Sequence, residues 1–134
     1  MFSKKVLFLD NVQEAKDYII KAKNSIKDAE LLYDNQRYDS SLTTSYFTII
    51  SVVKGLLLLK GRTPKTHKGI IHEFGQYYVK EGLIDRYFYR KFAEAQSSRE
   101  QIHYDLYYKI DEKMALNTLN LARKFIKESE KFFD

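Results

Sequence analysis

The sequence contains no cysteine, and this absence excludes two kinds of small protein. Without cysteine the chain has neither a disulfide framework nor a thiolate zinc site. Proline occurs once and glycine five times in 134 residues, so few positions interrupt a helix. Long segments of the chain are therefore free to be helical.

Long apolar runs are also missing. Residues 6–9 are apolar, but the run ends at Asp10 and is too short for the apolar part of a signal peptide. The longest apolar stretch, residues 46–59, contains Lys54 and falls short of the ~20 residues that span a bilayer. We therefore predict a buried helix there, no membrane partner and a cytoplasmic protein.

The residues that are present are those of a globular protein. Apolar residues make up 44% of the chain and charged residues 31%. The length fits one domain, so we predict a single domain over residues 1–134. The net charge of +5 permits a polyanionic partner without requiring one.

Apolar residues recur at intervals of three and four, the spacing of amphipathic helices. Asp10 or Asn11 is the predicted cap of the first helix, which leaves residues 1–10 as an irregular extension. Thr66 and Asp111 are predicted caps of the third and fifth helices. We predict an all-α, up-and-down bundle of about five helices over residues 12–34, 39–60, 66–80, 85–103 and 111–133.

The second predicted helix is apolar on most sides, because Phe47, Val52 and Leu58 leave it little polar surface. Such a helix is either central in its bundle or buried on two sides. The second alternative favours an oligomer, and a homodimer is the simplest one.

An arginine and a histidine interrupt the apolar stripe of the fourth helix. The stripe runs through Phe88, Phe92 and Ala95 and then reaches Arg99 and His103, which share a face. An unpartnered buried guanidinium is costly, so Arg99 either pairs with an internal carboxylate or faces a cleft that binds an anion. The second alternative suits phosphate chemistry, with bidentate binding by the guanidinium and proton transfer by the imidazole.

The loop over residues 60–68 is basic and leads into a helix N-terminus, which could hold a phosphate group. Lys65, His67 and Lys68 are its candidate ligands for substrate, and a solvated turn is the alternative. His72 and Glu73 begin a zinc-protease motif, but Gln76 stands where the second histidine belongs. We predict no metal site and no cofactor.

Two segments resemble a known family. They are YFTIISVVKGLLLLKGRTPKTHKGIIHEFGQYYVKEGLI (46–84) and REQIHYD (99–105), and the resemblance extends over about 12–133. The chain resembles the small prokaryotic HEPN-domain proteins. That resemblance implies a helical bundle that dimerises and, in many members, a metal-independent ribonuclease toxin encoded beside a minimal nucleotidyltransferase antitoxin.

The family signature is an arginine, four to six residues, and a histidine, which meet their copies across the dimer. Carried over, Arg99 and His103 are the catalytic pair, although only three residues separate them here. Tyr104 is the nearest match to a tyrosine that the partner enzyme adenylylates in toxin relatives. Tyr46, from the aromatic pair of the first segment, joins the predicted substrate-binding residues.

Two functional hypotheses follow. In the first, the chain is a toxin-like RNA endonuclease in which His103 of each subunit acts as base or acid and both Arg99 side chains stabilise the developing charge. In the second, it is a non-catalytic module that binds a nucleotide or a nucleotidyltransferase through the same cleft. The short spacing between Arg99 and His103 keeps the second hypothesis open.

Overall fold

The computed structural model describes residues 4–133, with side chains from residue 10 onward. Within that range the chain forms five α-helices and no β-strand, which confirms the predicted all-α bundle. The helices are α1 (Lys4–Asp34), α2 (Tyr38–Leu59), α3 (His67–Phe74), α4 (Arg86–Tyr104) and α5 (Glu112–Ser129). A π-helical turn, Gly75–Val79, extends α3, and a 3₁₀ turn, Glu130–Phe132, follows α5.

The predicted N-terminal extension is wrong over residues 4–10, because α1 already begins at Lys4. No proline or glycine lies between residues 4 and 34, so Asp10 and Asn11 continue the helix instead of capping it. Residues 1–3 of the predicted extension lie outside the described residues.

Capping side chains fix the starts of three later helices. The Thr66 hydroxyl accepts a hydrogen bond from Gly69 N at 2.9 Å, and Asp111 Oδ1 accepts one from Met114 N at 2.8 Å, as the sequence predicts. Asp85 accepts one from Tyr87 N at 2.8 Å at the start of α4. Gly82 adopts φ +74° between the π-helical turn and α4, a conformation that favours glycine.

Helix α2 is the central element of the bundle, and it contacts each of the other four helices. Val52 and Leu58 are fully or almost fully buried within the chain, whereas Phe47 remains 39% exposed. The central position of α2 therefore explains why the helix is apolar on most sides. This is the first of the two alternatives given for this helix. Its composition by itself gives no reason for a dimer.

By length and composition α2 could also cross a membrane, but 72% of its most apolar window is buried inside the bundle. Such burial is typical of the core helix of a globular domain. Aromatic side chains complete the core around it: Phe74, Phe92 and Phe125 are buried, with ring centroids 5.7–6.0 Å apart.

Candidate functional site

Arg99 lies half-buried on α4 and is not neutralised by a carboxylate. Among residues 10–133 it forms no salt bridge, although five other pairs do. Its guanidinium carbon lies 5.3 Å from the centroid of the Phe47 ring on α2. A guanidinium stacked on an aromatic face gains a cation–π attraction while its N–H groups stay available at the edge.

His67 and Tyr46 lie beside this pair. Thr66 caps α3 and so fixes His67 as the first residue of the helix. His67 Nδ1 lies 3.2 Å from the hydroxyl of Tyr46, which is fully buried in α2. The His67 ring also contacts Phe47 edge-on, with centroids 6.0 Å apart. Tyr46, Phe47, His67 and Arg99 form what we call the aromatic–basic cluster.

The charges of this cluster follow from burial. Burial raises the pKa of Tyr46 to about 12, with Arg99 acting in the opposite direction. Burial and then the charges of Arg99 and Lys54 lower the pKa of His67, against a smaller effect of Glu100. At neutral pH the phenol and the imidazole are therefore uncharged, and Arg99 carries the positive charge of the cluster.

His103 lies one helical turn beyond Arg99, in the last turn of α4, and is exposed. Its ring meets that of Tyr104 edge-on, with centroids 4.8 Å apart. Tyr104 is 80% exposed, and Leu106 and Tyr107 in the following loop are 88% and 84% exposed. We call Tyr104, Leu106 and Tyr107 the loop patch.

The loop patch is the most exposed apolar surface among the described residues, since no other large apolar side chain there exceeds 62% exposure. Single exposed apolar residues are ordinary, whereas a contiguous exposed apolar patch is a feature of interaction surfaces. The patch adjoins His103, so a partner bound there would also approach the catalytic pair that the sequence predicts.

Of the predicted site residues, the structure brings together Tyr46, His67 and Arg99. His103 and Tyr104 follow Arg99 in the last turn of α4. Lys65 and Lys68 are exposed, and among the described residues neither forms a hydrogen bond or a salt bridge with these side chains. Lys68 lines a shallow cavity of about 280 Å³ with Glu100, and Lys65 lines a different one of about 380 Å³ with Lys54. The basic loop thus divides its charge between two surfaces.

Phe47 is the residue of the cluster that the sequence pattern does not mark as functional. Its signal was present: a phenylalanine occupies the side of α2 where a polar residue would face solvent. The pattern could not show that Arg99, 52 positions later, covers its ring. No group of three or more histidine, aspartate or glutamate side chains in the described part of the chain is arranged to hold a metal ion.

Comparison with known proteins places the chain among named relatives. The family model described as "HEPN domain" matches residues 15–132. Two Methanocaldococcus jannaschii proteins are similar: "Putative toxin MJ0605" is 31% identical, over 98% of this chain and 92% of the relative. "Putative toxin MJ0142" is 28% identical, over 96% of this chain and 87% of the relative. A "UPF0332 protein" of Archaeoglobus fulgidus is 28% identical, over 84% of this chain and 89% of the relative.

Proposed function

The chain belongs to the HEPN domain family, and we propose that it is a toxin-like member that cleaves RNA without a metal ion, as a homodimer. The names of the two Methanocaldococcus jannaschii relatives support the toxin-like part of the proposal. The RNA-cleaving part rests on the aromatic–basic cluster and on His103.

One observation carries the proposal: Arg99 is half-buried, stacked on Phe47 and without a salt bridge among the described residues. A guanidinium that only stabilised the fold would be expected to pair with an acidic side chain. Left unpaired, it keeps the bidentate N–H edge that suits a phosphate group.

The chemistry needs a base, an acid and a cation. RNA supplies its own nucleophile, the 2′-hydroxyl, which attacks the adjacent phosphorus while the bond to the 5′-oxygen breaks. His103 accepts the proton of the 2′-hydroxyl, and the partner subunit's His103 donates a proton to the departing 5′-oxygen. Arg99 stabilises the charge that develops on the phosphate oxygens.

The loop patch supports the dimer that this chemistry requires. Burying Tyr104, Leu106 and Tyr107 against a second copy would remove their apolar surface from water. Because the patch follows directly after His103, a two-fold contact there brings two His103 side chains to one cleft. A single chain offers only one histidine at this end of α4.

Tyr104 also suggests how the protein is controlled. Its phenol is 80% exposed at the end of α4, so a nucleotidyltransferase antitoxin could reach it. Attack of the phenol oxygen on the α-phosphorus of ATP would join AMP to Tyr104 and release pyrophosphate. The bulky, anionic product next to His103 would block the RNA cleft.

The second candidate function is a non-catalytic module that binds a nucleotide or a nucleotidyltransferase through the same surface. The observation that favours it is the spacing of three residues between Arg99 and His103, where the family signature has four to six. Tight nucleotide binding without RNA cleavage would select this function over the first.

The test of the proposed function is RNA cleavage by the purified protein in the presence of a chelator. Arg99→Ala is expected to reduce the cleavage rate by about 10²–10³-fold, the usual effect of removing one donor that stabilises a transition-state oxyanion. Arg99→Lys should recover only part of the loss, because a lysine keeps the charge but not the planar fork.

The matched control is Arg90→Ala, which removes an exposed arginine of α4 outside the cluster. Its cleavage rate should stay close to that of the wild type. Equal rates for Arg99→Ala and Arg90→Ala would mean that the Arg99 guanidinium takes no part in the reaction, and the proposal would fail.

A further inference from the structure

The hydrogen bond between Tyr46 and His67 determines which nitrogen of His67 carries its proton. The Tyr46 hydroxyl is fully buried, and among the described residues its only hydrogen-bond partner is His67 Nδ1, at 3.2 Å. A buried hydroxyl hydrogen needs an acceptor, and Nδ1 is the acceptor within reach. With Tyr46 as the donor, Nδ1 of the neutral imidazole carries no proton.

The remaining proton of the neutral imidazole lies on Nε2, on the side of the ring away from Tyr46. Burial and the charges of Arg99 and Lys54, opposed by Glu100, lower the pKa of His67 and keep the ring neutral. His67 thus offers an uncharged N–H donor on a ring that contacts Phe47, the same side chain on which the Arg99 guanidinium lies. A second cation at this place would be repelled by Arg99, whereas a neutral donor is not.

We propose that His67 Nε2–H and the Arg99 guanidinium bind the same phosphate group, and that Tyr46 is a positioning residue that holds His67 in this tautomer. Both side chains contact one ring, that of Phe47: the Arg99 guanidinium lies over it, and the His67 ring packs against it in a T-shaped arrangement. The identity of the ligand as RNA rests on the proposed function. The phosphate contact itself does not require cleavage.

The contact can be tested with ligands that cannot be cleaved. The probes are a fully 2′-O-methylated oligoribonucleotide and adenosine monophosphate. Long-range ¹H–¹⁵N spectra at pH 7 should show His67 unprotonated at Nδ1 and protonated at Nε2. Addition of a probe should shift the Nε2–H signal in the wild type and leave it unchanged in Arg99→Ala.

Affinity provides the second readout. His67→Ala should weaken binding of the better probe by about 10- to 150-fold, the value of one hydrogen bond to a charged group. His67→Gln, whose amide N–H reaches the Nε2 position, should retain most of the affinity. Tyr46→Phe keeps the ring but loses the hydroxyl, so its His67 should populate both tautomers.

The inference is overturned if Nδ1 of His67 is protonated, if neither probe binds the wild type, or if His67→Ala binds as tightly as the wild type. If His67→Ala binds as tightly as the wild type and the wild type cleaves RNA, only the role of His67 is lost and the proposed function stands. If the His67-dependent binding is found without any cleavage, the phosphate site stands and the catalytic proposal fails. The tighter probe tells whether the phosphate comes from RNA or from a mononucleotide.

Discussion

His103→Ala is expected to lower metal-independent RNA cleavage by about 10²–10⁴-fold, the usual contribution of general acid–base catalysis. In the proposed homodimer a single substitution removes both the base and the acid, because each subunit supplies one of them. The loss should therefore lie toward the upper end of that range. The measurement is the initial cleavage rate of a defined RNA in the presence of a chelator.

His72→Ala is the matched control, since it removes an exposed histidine of α3 that belongs to neither the aromatic–basic cluster nor the loop patch. Its rate should equal that of the wild type. The pH profile gives a further check: a base and an acid of the same residue type predict a bell-shaped dependence in the wild type. Cleavage by His103→Ala at the wild-type rate would remove His103 from the mechanism.

Phe92→Ala is expected to destabilise the fold by about 3–5 kcal/mol, the range measured when a buried phenylalanine is truncated. Phe92 is fully buried at the centre of the aromatic core, with its ring centroid 6.0 Å from that of Phe74 and 5.9 Å from that of Phe125. Removing the ring leaves a cavity that these rigid neighbours cannot refill. The measurement is the urea midpoint of unfolding at an unchanged slope.

Phe47→Ala is the comparison for this experiment, because Phe47 is also a phenylalanine but remains 39% exposed. It should cost much less stability than Phe92→Ala, while still weakening RNA cleavage by releasing Arg99. Equal destabilisation by the two substitutions would contradict the arrangement of the core described above.

The fold was largely accessible from the sequence because its main determinants are local. The spacing of apolar residues, the caps Thr66 and Asp111 and the glycine at position 82 each act within a few residues of where they stand. The start of the first helix was predicted wrongly for a related reason: Asp10 and Asn11 can cap a helix or continue one. Local chemistry did not decide between the two.

The site was harder to predict because its contacts join distant parts of the chain. The stripe on α4 identified Arg99 as an unusual inward cation, but no local rule showed that Phe47 would receive it. In the same way, the basic loop suggested His67 as a phosphate ligand without indicating its bond to Tyr46. Such pairs depend on how α2, α3 and α4 pack, which periodicity does not specify.

The structure also changes the reason for predicting a homodimer. The apolar surface of α2, which favoured an oligomer in the sequence, is covered by the other helices of the same chain. The loop patch gives an independent reason for a dimer, and it lies at the end of α4 where the proposed chemistry needs a second subunit. The dimer remains a prediction, now attached to a specific surface.

The most direct test of the composite site uses the absence of cysteine, which allows single-cysteine variants without background. Leu106→Cys places a thiol in the loop patch, and Ile20→Cys places one on the exposed side of α1. Treated with a short bifunctional maleimide, Leu106→Cys should be captured as a covalent dimer and Ile20→Cys should stay a single chain. A Leu106→Cys protein that stays monomeric under the same treatment would contradict a two-fold contact beside His103, and with it the shared catalytic cleft.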